Sequence, residues 1–255
     1  MIDIHCHILP GVDDGAQNAE DSLNMAKAAA DEGIETIIAT PHHQNGTYIN
    51  TSKEIRDGVR YLNDLLQASE IPVTILPGQE TRINGDMIEQ LEQGQLLPLN
   101  ETSGYIFVEL PHDHVPRYTS QLLFDIQVSG YQAIIVHPER NRELMQNPDQ
   151  LYKFVKDGAL TQVTAASVCG KFGKKIQKFT SQLIESNLTH FIASDAHNTT
   201  NRGFHLREAY DVIEEEYGID WTYFFMENTE YLKEGQTVAK DIPVRVKRRK
   251  FLGLF

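Results

Sequence analysis

Residues 2–15 read IDIHCHILPGVDDG: a short apolar run closing on two histidines, His5 and His7, then a Pro-Gly turn and two adjacent aspartates. So brief a run, apolar on consecutive positions, is the pattern of a strand buried on both faces. With Ile2–His5 as the first example, the pattern recurs at Glu35–Thr40, Val73–Pro77, Tyr105–Leu110, Ala133–His137, Thr161–Ala165 and His190–Ser194. Helical patterns fill the gaps. Thr51 and Glu54 form a capping box ahead of an apolar stripe at Ile55, Val59, Leu62 and Leu66. Asn147 and Pro148 start another helix, and Asn18–Glu32, Ser120–Ser129, Lys174–Ser186 and Arg202–Tyr217 read similarly, with Gly33 and Gly130 at C-terminal caps. Strand–helix alternation from end to end requires a parallel sheet. Seven βα units without a linker or short-period repeat predict an α/β single domain closed into a TIM-like barrel, with a doubly wound open sheet as the competitor.

The 255 residues are 40% hydrophobic and 23% charged, ordinary for a globular chain with a large core. No apolar stretch is long enough to span a membrane, and the N-terminus lacks the basic and apolar regions of a secretory signal. Two cysteines, Cys6 and Cys169, provide no disulfide framework, so a cytoplasmic location is expected. The formal charge of −13 argues against nucleic acid as a partner, since such binding needs a basic surface.

The polar residues gather where strands end. His5 and His7 close the first strand, His42 and His43 the second, and Glu80 the third. Glu109 lies near the end of the fourth, His137 and Arg140 close the fifth, and Asp195 and His197 the last. In a parallel barrel all these ends share one face. Alternation along a strand aims His5 with His7, and Asp195 with His197, while Cys6 and Ala196 face away. Each residue alone has an ordinary explanation: a strand-end histidine satisfied in the core, a glutamate in an ion pair, Asp14 capping a helix. Their coincidence does not, because carboxylates brought so close, with few lysines or arginines beside them, need cations. Imidazole and carboxylate donors without thiolate suit Mn²⁺, Fe²⁺ or Zn²⁺ alike.

The motifs DIHCH at 3–7, DDG at 13–15, TPHH at 40–43, GQE at 78–80, VEL at 108–110, HPER at 137–140 and SDAH at 194–197 resemble, in order, those of the polymerase and histidinol phosphatase (PHP) metallohydrolases. The nearer resemblance is to the family's CpsB-type bacterial tyrosine phosphatases, and it spans residues 1 to about 210. It implies a distorted (β/α)7 barrel (the PHP fold) over residues 1–240 and three divalent metal ions, with manganese favoured. The metal ligands it implies are His5, His7, Asp14, His42, Glu80, Glu109, His137, Asp195 and His197. Asp13 remains an alternative to Asp14, and His43 is a structural neighbour of His42. The implied activity is phosphotyrosine hydrolysis, on a bacterial tyrosine kinase that controls capsule or exopolysaccharide synthesis. The rivals are a small-molecule phosphatase, such as one for histidinol phosphate, and a metal-retaining binding module.

Metal ions at the shared rim would bring a water's pKa toward neutrality, and the resulting hydroxide would attack phosphorus in line. Arg140 and Arg207 are the candidates for neutralising phosphate oxygens, and the resemblance supports both. A thiol mechanism needs C-x5-R, but Lys175 and Val12 stand at the required spacing from Cys169 and Cys6. Residues 241–255 form a basic and apolar tail. Arg245, Lys247, Arg248, Arg249 and Lys250 ahead of Phe251, Leu252, Leu254 and Phe255 carry two readings: weak contact with an anionic membrane surface, or packing on the barrel.

Overall fold

The computed structural model describes residues 1–247. Nine strands run in chain order: β1 (Ile2–Cys6), β2 (Thr36–Ala39), β3 (His42–His43), β4 (Thr74–Pro77), β5 (Glu80–Arg82), β6 (Tyr105–Glu109), β7 (Gln132–Val136), β8 (Leu160–Thr164) and β9 (Phe191–Ala193). All pairings are parallel, in the orders β1-β2-β4 and β3-β5-β6-β7-β8-β9. The nine described strands are seven strand paths, because the second and third predicted runs are each followed, after a break, by a short further strand, β3 and β5. Pro41, which has no N–H to give a ladder, lies in the first break, and Gly78 in the second. A Cβ on Gly78 would come within 2.6 Å of Ile38 Cγ2 and 2.9 Å of Leu99 Cδ2, so only glycine fits this crossing. Backbone bonds bridge both breaks, from Thr40 N to Cys6 O (2.9 Å) and from Glu80 N to Pro41 O (3.1 Å).

The last path returns to the first. Asp195 N donates to His5 O and His7 N to Ala196 O, each at 2.9 Å, and Cys6 bridges Ala196 in parallel. This closed circuit of seven paths is the distorted (β/α)7 barrel read from the sequence. The principal outer helices are α1 (Ala19–Asp31), α2 (Ser52–Ala68), α3 (Met87–Glu92), α4 (Thr119–Val128), α5 (Arg142–Gln146), α6 (Pro148–Lys156), α7 (Ala165–Val168), α8 (Lys174–Glu185), α9 (Leu206–Tyr217) and α10 (Ile219–Lys233). The capping box at Thr51 and Glu54 is present, and the buried stripe of α2 is Ile55, Val59, Leu62 and Leu66. One apolar cluster lies between strands and helices. A smaller one fills the barrel with Ile4, Ile38, Phe107, Ile134, Leu160 and Phe191, and Leu232 and Val238 pack into it.

Two expectations change. The helix read from Arg202 begins only at Leu206, after His205 in a left-handed conformation (φ 53°), so residues 198–205 form a loop. The tail, over its described part, lies against the barrel. Val244 N donates to Ser186 O, Asn187 Nδ2 donates to Ile242 O, and Arg245 pairs with Asp149 at 2.7 Å while stacking over Tyr152. The tail residues Arg248, Arg249, Lys250, Phe251, Leu252, Leu254 and Phe255 fall outside the described residues. Among those described, no helix is long and apolar enough to cross a membrane.

Candidate metal centre

The strand ends deliver their side chains by local devices. Between Asp3 and Cys6 the β1–β2 register slips by one residue, a bulge of the kind that re-aims a side chain beside a site. His5 and His7 then face each other, Nε2 to Nε2 at 3.3 Å, while Cys6 joins the outer core. His137 and Asp195 both adopt left-handed backbone conformations (φ 35° and 52°), which turn the chain sharply as it leaves β7 and β9. Gly15 has no room for a side chain, because a Cβ would overlap the His7 carbonyl. That close approach seats the aspartate turn against the end of β1.

The predicted residues converge. His5 Nε2 lies 3.5 Å from both Glu80 Oε2 and Asp195 Oδ1, and His7 Nε2 lies 3.4 Å from the same two oxygens. Asp14 Oδ1 is 3.4 Å from His42 Nε2 and from His197 Nε2. Glu80 is the hub, with Oε2 2.7 Å from His42 Nδ1 and Oε1 2.8 Å from His137 Nε2. Glu109 is further out, 3.8 Å from His42 Nδ1. Donors set roughly 2 Å from one ion in a tetrahedron stand about 3.3 Å apart, close to the spacing around His5 and His7. Three donor groups are compact enough to share an ion: His7, Asp14, His42 and His197; His5, His7 and Glu80; His42, Glu80 and Glu109.

Hydrogen bonding behind the rings fixes which nitrogen faces inward. His5 Nδ1 meets Gln162 Oε1 at 2.9 Å, His7 Nδ1 meets Asp13 Oδ2 at 2.7 Å, and His197 Nδ1 meets the Asp195 carbonyl at 2.9 Å. These acceptors take the Nδ1 protons and leave each Nε2 aimed at the cluster. Burial disfavours a charged His7, but Asp13 and the other acids beside it outweigh that and raise it well above its ordinary value, so there Nε2 gives a lone pair as an ion displaces its proton. Asp13 therefore stands behind His7 and also accepts from the N–H groups of Gly15 and His42, while Asp14 faces the cluster. His43 turns away, its Nδ1 accepting from Asn50 N. Among the described residues three buried atoms in the cluster make no well-aligned hydrogen bond: His42 Nδ1 and Glu80 Oε2, 2.7 Å apart but poorly directed toward each other, and His197 Nε2, 3.4 Å from Asp14 Oδ1. Orphaned polar atoms at such depth are costly, and a cation would satisfy all three.

Electrostatics separates the acids. Burial pushes Glu80 up, but the charges of His42 and His5 outweigh it and hold the carboxyl well below its usual value. Burial and the neighbouring Glu80 push Glu109 up to about 7. Burial lowers His137 and His197 to about 4, keeping both rings neutral and fit to donate a lone pair. The expected scarcity of cations is corrected in part. Arg82 forks onto Glu109 (2.9 and 2.8 Å), Arg140 Nη2 meets Asp195 Oδ2 at 2.6 Å, and Arg202 reaches Asp14 and Asp195 at 3.3 and 3.6 Å. Among the described residues Glu80 alone of the four acids has no guanidinium against it, and the need for a cation is sharpest there.

The HPER and SDAH turns thus stand with the DIHCH strand around one acidic cluster, as the sequence motifs require. The family model for capsular polysaccharide synthesis, CpsB/CapC, matches residues 1–233. The chain belongs to the CpsB/CapC family. It is 51% identical over 255 residues to the tyrosine-protein phosphatase YwqE of Bacillus subtilis (strain 168), covering all of both chains. It is 29% identical over 223 residues to the tyrosine-protein phosphatase CpsB of Streptococcus pneumoniae, covering 86% of this chain and 91% of that one. A crystal structure from work on those two proteins, described there as unique metal-dependent tyrosine phosphatases, matches with a TM-score of 0.95 at 51% identity. It covers 97% of this chain and 100% of that one.

Against this CpsB/CapC frame one predicted site residue is misplaced. Arg207 is exposed, and its Nε donates to the Glu32 carbonyl just past the end of α1. Starting α9 at Leu206 puts residue 207 in the first helical turn, facing α1, whereas Arg202 in the preceding loop lines the cleft with Arg140, His42, His137 and Asp195. The signal for Arg202 was the run Asn198-Thr-Thr-Asn-Arg-Gly203, a composition of turns that argues against a helix there. Arg82 was also missed, although it sits two residues from Glu80 and so on the same side of a strand. Neither thiol is poised for attack: burial pushes Cys169 up to about 12 and raises Cys6 well above its ordinary value.

Proposed function

We propose that the chain is a metal-dependent protein tyrosine phosphatase. The observation that carries this reading is the single cleft, about 200 Å³, in which Arg140 and Arg202 overhang buried imidazoles and carboxylates. Family membership and the names of the relatives support tyrosine phosphate as the substrate. His5, His7, Glu80 and Asp195 would hold one divalent ion, with Asp14, His42 and His197 serving a second and Glu80, Glu109 and His137 a third. The resemblance favours manganese. When bound, such ions supply concentrated positive charge and make water acidic near neutral pH.

The chain's own residues do the rest. Gln162, Asp13 and the Asp195 carbonyl hold protons on the outer nitrogens of His5, His7 and His197, so each ring presents its inner nitrogen without rearrangement. Arg140 and Arg202 present planar donors that can engage two phosphate oxygens at once and counter the charge that grows on them. Arg140 is braced by Asp195 on one side and by the Phe172 ring, 5.6 Å away, on the other. A phenol pKa near 10 lets tyrosinate depart without a strong acid beside it. The partner we propose is a phosphotyrosine protein, a bacterial tyrosine kinase governing capsule or exopolysaccharide synthesis, met in the cytoplasm.

The test compares a phosphotyrosine peptide, a phosphoserine peptide and histidinol phosphate, with enzyme stripped by chelator and reloaded with Mn²⁺. The reading expects phosphotyrosine to be turned over fastest, activity to vanish on stripping and return on reloading, and thiol alkylation to leave the rate unchanged. Faster turnover of histidinol phosphate would make it a small-molecule phosphatase. Turnover of none would leave a binding module.

A further inference from the structure

Arg82 stands apart from the other two arginines of the centre. It does not line the cleft, and its Nε and Nη2 are both committed to Glu109, at 2.9 Å to Oε2 and 2.8 Å to Oε1. Strand register produces the fork. In the β5–β6 pair Arg82 lies directly across from Glu109 and Glu80 across from Phe107, while Ile83 N bonds Glu109 O at 2.9 Å and locks the alignment. Glu80 and Arg82, two residues apart, share one face of β5. Among the described residues Glu109 is the one acid of the centre gripped through both oxygens by a single guanidinium, and it also stands furthest from its histidine, 3.8 Å from His42 Nδ1.

We infer that Arg82 is a positioning residue for the ion site to which Glu80 and Glu109 contribute: its fork fixes the Glu109 carboxylate toward that site, which is the weakest-held of the three. The inference rests on the metal-centre reading above. Each carboxylate oxygen has two lone pairs. The fork occupies one on each oxygen and leaves the others facing His42 and Glu80. Orientation and charge pull in opposite directions here. The fork removes the rotational freedom of Glu109, which favours capture of an ion, while the guanidinium charge offsets part of the carboxylate charge, which weakens it. A lysine keeps the charge but, as a point donor, loses the fork. The two contributions can therefore be separated.

The experiment measures bound metal per chain by elemental analysis after equilibrium dialysis across a series of Mn²⁺ concentrations, for the wild type, Arg82→Lys and Arg82→Met. Arg82→Lys retains a cation opposite Glu109 and so guards against loss of the fold, which circular dichroism checks. The expected result is that both variants need roughly 10- to 100-fold more Mn²⁺ to fill the weakest site, with the tighter sites unchanged. If Arg82→Lys fills every site at wild-type concentrations, or Arg82→Met fills them at lower ones, the fork does not position the ligand and the inference is wrong. A wild-type chain that takes up no Mn²⁺ would instead overturn the metal-centre reading beneath it.

Discussion

Two histidines, His137 and His190, sit at opposite ends of the barrel: His137, its side chain 14% exposed, just past the end of β7, and His190, 2% exposed, just before β9. Burial lowers both, to about 4 and about 3. Their surroundings differ. His190 Nδ1 accepts from Thr161 N, its carbonyl accepts from Asn228 Nδ2, and Asn228 is itself completed by Ala239. That end is a network of made hydrogen bonds, with the charge of Lys240 adding to burial in keeping His190 neutral. At the other end His137 meets a carboxylate hub whose second oxygen, like two ring nitrogens beside it, makes no well-aligned hydrogen bond among the described residues. Depth alone is no mark of chemistry; polar atoms left without partners at depth are.

The comparison is most easily broken at the hub. Glu80→Ala should lower kcat/KM on a phosphotyrosine peptide by more than about a hundredfold, since even groups behind metal ligands commonly cost 10- to 100-fold. A Glu80→Ala enzyme within tenfold of wild type would erase the distinction between the two ends. Next in size, Arg140→Ala and Arg202→Ala should each cost roughly a hundredfold in kcat, read under saturating substrate. Equal effects would fit arginines facing one phosphate from two sides.

At the opposite end the expected effect is on stability and depends on pH. Inside the fold His190 stays neutral down to about 3, while in the unfolded chain it takes up a proton below its ordinary 6.5. Its contribution is therefore intact above 6.5 and is lost as pH falls toward 3, by about 1 kcal/mol over the first unit. Urea unfolding of wild type and His190→Gln should show their stability difference shrinking from pH 6.5 to 5.5, and parallel curves would refute the assignment. The smallest effect belongs to Arg207→Ala, with turnover within about twofold and stability within about 0.5 kcal/mol, as for an exposed side chain. A large loss of turnover would return Arg207 to the site.

Most of the centre was legible because strand ends are set by apolar runs, and in a parallel barrel those ends fall on one face. Eight of the nine expected donors stand at strand ends and follow from that rule; Asp14, in the turn after β1, came only with the family resemblance, and the side chains of Asp13 and Asp14 part company only once the turn's contacts with His7, His42 and His197 are seen. The short strands beyond Pro41 and Gly78 were not legible, since the apolar runs stop at Thr40 and Pro77, and only the packing against Ile38 and Leu99 shows why a glycine stands at the second break. Arg202 and Arg207 were exchanged because the helix was started four residues early, and arginines that close in sequence part widely at a helix entrance. Arg82 needed the register of a neighbouring strand, which no local pattern contains.

The first strand finds its closing partner in the last, with His5 and His7 on one side of that seam and Asp195 and His197 on the other, some 190 residues downstream. Contacts so remote along the chain form late in folding. A nascent chain still short of Asp195 holds no complete centre, however well its early βα units have formed. Catalytic competence should therefore arrive in a single step near the end of synthesis, and fragments cut anywhere between the two strands should be inert apart yet recover activity when mixed and annealed.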